Sequence, residues 1–125
     1  MAHVLVIDDQ SHICTIIEHF LTAEGHTADL AENGRVGMQL AGLNAYDLVI
    51  TDIVMPEHDG LEVIMGFKQL YPLVRIIAMT GGTARLNVGS LLTTAQFMGV
   101  DRVLAKPLDF IKLLTAVNEV LEIRA

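Results

Sequence analysis

A single cysteine, Cys14, in 125 residues leaves no partner for an internal disulfide. Long apolar stretches are missing as well: no run approaches the roughly 18 residues of a membrane span. No basic segment precedes the first apolar run, which starts at His3 and stops at Asp8-Asp9, so no secretory signal is expected. These absences point to a cytoplasmic protein without a membrane partner. Basic residues are scarce, 8 Lys and Arg against 15 Asp and Glu, for a net charge of −7. A nucleic-acid surface needs a basic patch to neutralise phosphates, so no nucleic-acid partner is expected. An acidic surface is otherwise an ordinary route to solubility. Apolar residues are plentiful, at 52% with a mean hydropathy of +0.49. That excludes a disordered chain, and the length suits one domain with its own core, spanning 1–125.

Short apolar runs near 3–8, 27–31, 47–52, 74–80 and 102–106 read as strands. Most are continuously apolar rather than alternating, as strands covered on both faces require. Thr27-Ala28-Asp29-Leu30-Ala31 is weaker and reads as a half-exposed edge. Helical periodicity fills the gaps. Ile13, Ile16, Ile17, Phe20 and Leu21 make an amphipathic stripe, and Gly25 follows as a stop. Asn33 caps a helix carrying Val36 and Leu40. Asp59-Gly60-Leu61-Glu62 reads as a capping box opening a helix with Leu61, Ile64, Met65 and Phe67, which ends before Pro72. Three glycines between Gly81 and Gly89 weaken any helix there, so the spacing predicts a long loop and then a helix from about Ser90, with Leu91, Leu92, Ala95 and Met98 inward. The last helix, about 109–123, carries Phe110, Leu113, Leu114, Val117 and Leu121. The alternation predicts an α/β fold, (βα)5, with helices on both faces of a five-stranded parallel sheet.

Polar residues end four of the five runs: Asp8 and Asp9, Asp52, Thr80, and Lys106 followed by Pro107. The carboxyl ends of parallel strands lie along one edge, where ligand sites form. Residues from 8 to 106 are therefore expected to converge as three carboxylates, one hydroxyl and one ammonium. A carboxylate can attack phosphorus to give an acyl phosphate, and Asp52, alone at the end of the central strand, is the better nucleophile. Phosphoryl transfer mostly needs positioning and neutralised charge. Mg2+ takes oxygen ligands and suits two or three carboxylates, while Lys106 adds a fixed positive charge and the Thr80 hydroxyl can donate to a phosphoryl oxygen. The Lys106–Pro107 peptide is a candidate cis bond that would aim Lys106 into the site. The five histidines, His3, His12, His19, His26 and His58, show no metal-ligand spacing, and Cys14 and the six methionines read as packing residues.

With these residues in order, the chain resembles the receiver domain of two-component response regulators. The acidic pair, the run from Asp52 through Met55-Pro56 to Gly60, Thr80 and Lys106-Pro107 all match the family's signatures. The resemblance implies a doubly wound, flavodoxin-like sheet. It implies that Asp52 takes a phosphoryl group from a phosphohistidine of a histidine kinase or histidine phosphotransfer protein. Asp9 and Asp52 would ligate Mg2+ directly, with the Val54 backbone carbonyl, and Asp8 would act mainly through a bound water. Thr80 and Lys106 would contact the phosphoryl group and relay the switch. The regulator would catalyse its own phosphorylation and dephosphorylation and act mainly as a switch. Output is expected by contact with a downstream protein through the 81–98 segment, the fifth strand and the last helix, including Leu91 and Val103. A homodimer through that face is a further expectation.

Three departures from the family pattern stand out. Val103 replaces the Tyr or Phe usual three residues before the lysine. The stretch from Thr80 to Gly99 is longer than usual and glycine-rich, so switching is expected in that loop. Val54 and Gly82 replace polar groups often found near the attacking water, so slow autodephosphorylation is expected. Two other readings compete with a single-domain regulator. The chain could be the receiver half of a larger response regulator, for example a transcription factor. It could instead be a Mg2+-dependent phosphatase or phosphotransferase, but those of the haloacid dehalogenase type need Asp-x-Asp at the first strand, and Asp8-Asp9 is adjacent.

Overall fold

The computed structural model describes residues 1–53, 60–81 and 99–122. Five strands form one sheet: β1 (His3–Ile7), β2 (Thr27–Ala31), β3 (Leu48–Asp52), β4 (Arg75–Gly81) and β5 (Arg102–Lys106). All pairings are parallel and the order is β2-β1-β3-β4-β5. Four helices are described: α1 (Ser11–Ala23), α2 (Gly34–Leu43), α3 (Gly60–Leu70) and α4 (Phe110–Glu122).

The apolar strands need two covers because successive side chains point to opposite faces. Val4, Val6, Leu48, Ile50, Ile77 and Met79 face one layer, where Cys14, Ile17 and Leu21 of α1 meet Leu113, Val117 and Val120 of α4. Leu5, Ile7, Val49, Ile76 and Ala78 face the other, against Ala41 of α2 and Val63, Ile64 and Phe67 of α3. The edge strand β2 is half-buried, as its mixed composition predicts.

Local signals also hold. Asn33 Oδ1 accepts from the Val36 N–H at 2.9 Å and caps α2. Gly25 adopts φ of 88° after α1, a left-handed conformation that glycine enters freely. Two inward assignments are corrected: Met65 on α3 is 61% exposed and Ile16 on α1 is 38% exposed. Periodicity finds a stripe, but only the neighbouring layer sets its width. The expected cap at Asp59, the expected loop from Gly82 and the expected helix from about Ser90 lie outside the described residues.

Candidate functional site

From β1 the chain crosses to β2 on one side, while β3, β4 and β5 follow on the other, so the strand order reverses beside β1. Ligand crevices of open α/β sheets form at such switch points. Register then brings the site together. Ile7 pairs with Thr51, so Asp8 and Asp52 leave neighbouring strands side by side. Asp52 pairs with Met79, and the next residue along β4 is Thr80. Thr80 pairs with Ala105, and the next residue along β5 is Lys106. Thr80 lies inside β4 rather than at its end, because the strand continues to Gly81. The Lys106–Pro107 peptide is cis.

Lys106 Nζ donates to Asp8 Oδ2 at 2.7 Å, to Asp52 Oδ2 at 2.9 Å and to Gln10 Oε1 at 3.1 Å. Asp8 is fully buried and Asp52 is 4% exposed, while Asp9 is exposed. Burial by itself would lower the Lys106 pKa. The hydrogen bonds to Asp8 and Asp52, and the charges of those carboxylates, outweigh it and hold the ammonium above the ordinary lysine value. One oxygen from each of Asp8, Asp9 and Asp52 lies within 4.8 Å of the others. Three carboxylates facing one ammonium leave two negative charges uncompensated, and the donors are all oxygens. That set fits a hard divalent cation. The Thr80 hydroxyl is buried and finds no hydrogen-bond partner among the described residues. Such an atom is costly unless a ligand oxygen meets it.

A family model described as "Response regulator receiver domain" matches residues 4–118. The chain belongs to the response regulator receiver domain family. Transcriptional regulatory protein ZraR of Klebsiella oxytoca is 34% identical over 118 residues, covering 94% of this chain and 26% of that protein. Response regulator ArlR of Staphylococcus epidermidis is 31% identical over 121 residues, covering 97% of this chain and 53% of that protein. The receiver therefore spans only part of the length of these curated relatives. A response regulator receiver domain protein from Clostridium thermocellum superposes with a TM-score of 0.88 at 28% identity, covering 99% of this chain and 97% of that one. Chemotaxis protein CheY4 of Vibrio cholerae does so with 0.86 at 27% identity, covering 97% and 99%.

The receiver fold thus brings together Asp8, Asp9, Asp52, Thr80 and Lys106, all expected from strand ends. Val54 and Gly82 lie outside the described residues, as does the 82–98 part of the expected output face. Val103 is half-buried and packs on the α2–α3 layer. Gln10 was not anticipated. It follows the acidic pair directly, and the signal for it was a glutamine where a helix cap belongs.

Proposed function

We propose that this receiver accepts a phosphoryl group on Asp52 from a phosphohistidine of a histidine kinase or histidine phosphotransfer protein, in a Mg2+-dependent reaction. The observation that carries the reading is a buried carboxylate held 2.9 Å from an ammonium, beside a buried threonine hydroxyl that finds no partner among the described residues. A carboxylate oxygen of Asp52 attacks phosphorus. The P–N bond to the donor imidazole breaks, its electron pair stays on nitrogen, and an acyl phosphate forms. Lys106 and Thr80 then donate to phosphoryl oxygens. Asp9 and Asp52 would hold Mg2+, with the Val54 carbonyl, and Asp8 would act through a water; the ion, when bound, offsets charge among the carboxylates and phosphoryl oxygens.

Intact-mass spectrometry after incubation with Mg2+ and acetyl phosphate tests this. One phosphoryl adduct is expected, dependent on Mg2+ and absent in Asp52→Ala. An adduct that survives the substitution would show that Asp52 is misassigned. The apolar residues Val54 and Gly82 support slow autodephosphorylation, and a phosphorylated form that decays as fast as quick family members would overturn that part.

The phosphorylated receiver signals to a downstream protein through the 81–98 segment, β5 and α4, with a homodimer through the same face as a second outcome. Residues 1–125 form the receiver unit, and its action is cytoplasmic; no described helix is long and apolar enough to cross a membrane. The net charge of −7 supports output without nucleic-acid contact by this unit. A second reading, the receiver half of a larger regulator, is favoured by ArlR and ZraR, of which this chain covers 53% and 26%. The length of the native gene product distinguishes the two.

A further inference from the structure

Gln10 occupies the N-cap of α1 and does not cap it: its side chain makes no bond to the helix's free N–H groups. Asn, Asp, Ser and Thr are the residues that cap well, and glutamine is a weak choice there. The side chain is committed elsewhere. Its Oε1 accepts from Lys106 Nζ at 3.1 Å, across 96 residues of sequence. An ammonium only donates, so the amide oxygen is the atom that faces it. The Gln10 backbone N–H donates to Asp8 Oδ1 at 2.9 Å, fixing the residue against the acidic pair. A local rule broken beside a reactive site is a sign of function.

Donor arithmetic gives that function. Lys106 has three N–H donors and three acceptors: Asp8 at 2.7 Å, Asp52 at 2.9 Å and Gln10 at 3.1 Å. Every proton is used, so a phosphoryl oxygen arriving on Asp52 can be met only if one acceptor lets go. Hydrogen bonds to ionised acceptors are about twice as strong as those to neutral ones. The neutral, longest and most exposed of the three contacts is the one to Gln10. We propose that Gln10 is a positioning residue that holds the third proton of Lys106 in the resting state and yields it to the phosphoryl group. The inference rests on the reading of Asp52 as phosphoacceptor. A carboxylate at position 10 would hold Lys106 as well but would release it less readily and would add a negative charge near the phosphoryl oxygens.

Two substitutions separate positioning from helix capping. Gln10→Asn improves the cap but is one methylene too short to reach Lys106. Its expected result is an unchanged or raised melting temperature, faster proton exchange of the Lys106 ammonium by 15N NMR, and faster phosphorylation by acetyl phosphate, because the third proton is already free. The gain should be about threefold to tenfold, the factor that one net hydrogen bond supplies. Gln10→Glu should keep ammonium exchange slow and reduce the phosphorylation rate, with the deficit shrinking as salt is raised. A Gln10→Asn protein with the ammonium exchange and phosphorylation rate of the parent would overturn the proposal. So would a Gln10→Glu protein phosphorylated as fast as the parent. If the parent itself takes no phosphoryl group, the phosphoacceptor reading fails. The exchange measurement on unphosphorylated protein would then still decide the Gln10–Lys106 contact.

Discussion

Lys106 links the site's charge to stability. Its pKa is raised in the fold, so its contribution is fully present below the ordinary lysine value of 10.5 and is lost as pH rises through the folded value. Chemical denaturation from neutral pH to above pH 10.5 should show a larger alkaline loss in the parent than in Lys106→Met, which keeps only the part owed to groups such as Cys14. The substitution should also destabilise the protein at neutral pH, because two buried carboxylates lose their counter-charge. Cys14 makes a second residue-scale case. The residue is 4% exposed, and its thiol donates to the Asp8 carbonyl at 3.4 Å. Burial, then the Asp8 charge, pushes its pKa to about 11. Only the thiolate alkylates, so iodoacetamide at pH 8 should leave Cys14 unmodified in folded protein and modify it in denaturant. Prompt labelling of folded protein would contradict the buried placement.

Among the elements, the helix ends show which sequence signals are self-sufficient. Asn33 caps α2 through a contact three residues away, and that contact follows from the residue type alone. Asn33→Ala should cost about 1 kcal/mol, read as a lower denaturation midpoint with an unchanged slope. Asp109 does the same for α4, accepting from Ile111 and Lys112 N–H at 3.0 and 3.2 Å. Gly37 is different, because its reason lies in another element. A Cβ there would stand 2.5 Å from Ile7 Cδ1 on β1, and Ile7 is fully buried. Gly37→Val should therefore destabilise by about 1–3 kcal/mol through overpacking. Met65 and Ile16 teach the same lesson in reverse: both fit a helical stripe, and neither finds a layer to enter.

At the scale of the whole molecule, the sheet concentrates negative charge at one edge and a cation should relieve it. A ligand that binds only the folded state stabilises it by about 2.7 kcal/mol at a hundred times its Kd. Mg2+ should therefore raise the melting temperature, and chelation should reverse the rise. Asp9 is exposed, so Asp9→Ala should fold normally, melt somewhat higher than the parent without Mg2+, and lose most of the ion's effect. An equal Mg2+ response in parent and variant would remove Asp9 from the ligand set. The opposite end of the sheet holds a separate network. His3 Nε2 lies 2.9 Å from Asp29 Oδ2, Tyr46 donates to that same oxygen at 2.7 Å, and the two rings pack at 4.5 Å. It ties β1 to β2 and to the start of β3, away from the Asp52–Lys106 cluster.

The sequence by itself determined the class of fold, the five strands and the residues that end them. Period-two and period-3.6 patterns are local, and a buried parallel strand must be apolar until it reaches its functional edge. For the same reason Asp8, Asp9, Asp52 and Lys106 were legible in the sequence, and Thr80 to within one residue of the end of β4. The tertiary structure alone decided which atoms meet. Lys106 reaches Asp8 across 98 residues and Asp52 across 54, and those pairings depend on strand order and register. It alone turned Gln10 away from its helix toward Lys106, gave His3 and Tyr46 a shared carboxylate, and left the Thr80 hydroxyl buried without a partner among the described residues. Side-chain pairing between distant strands is set by packing in three dimensions, and no local pattern records it.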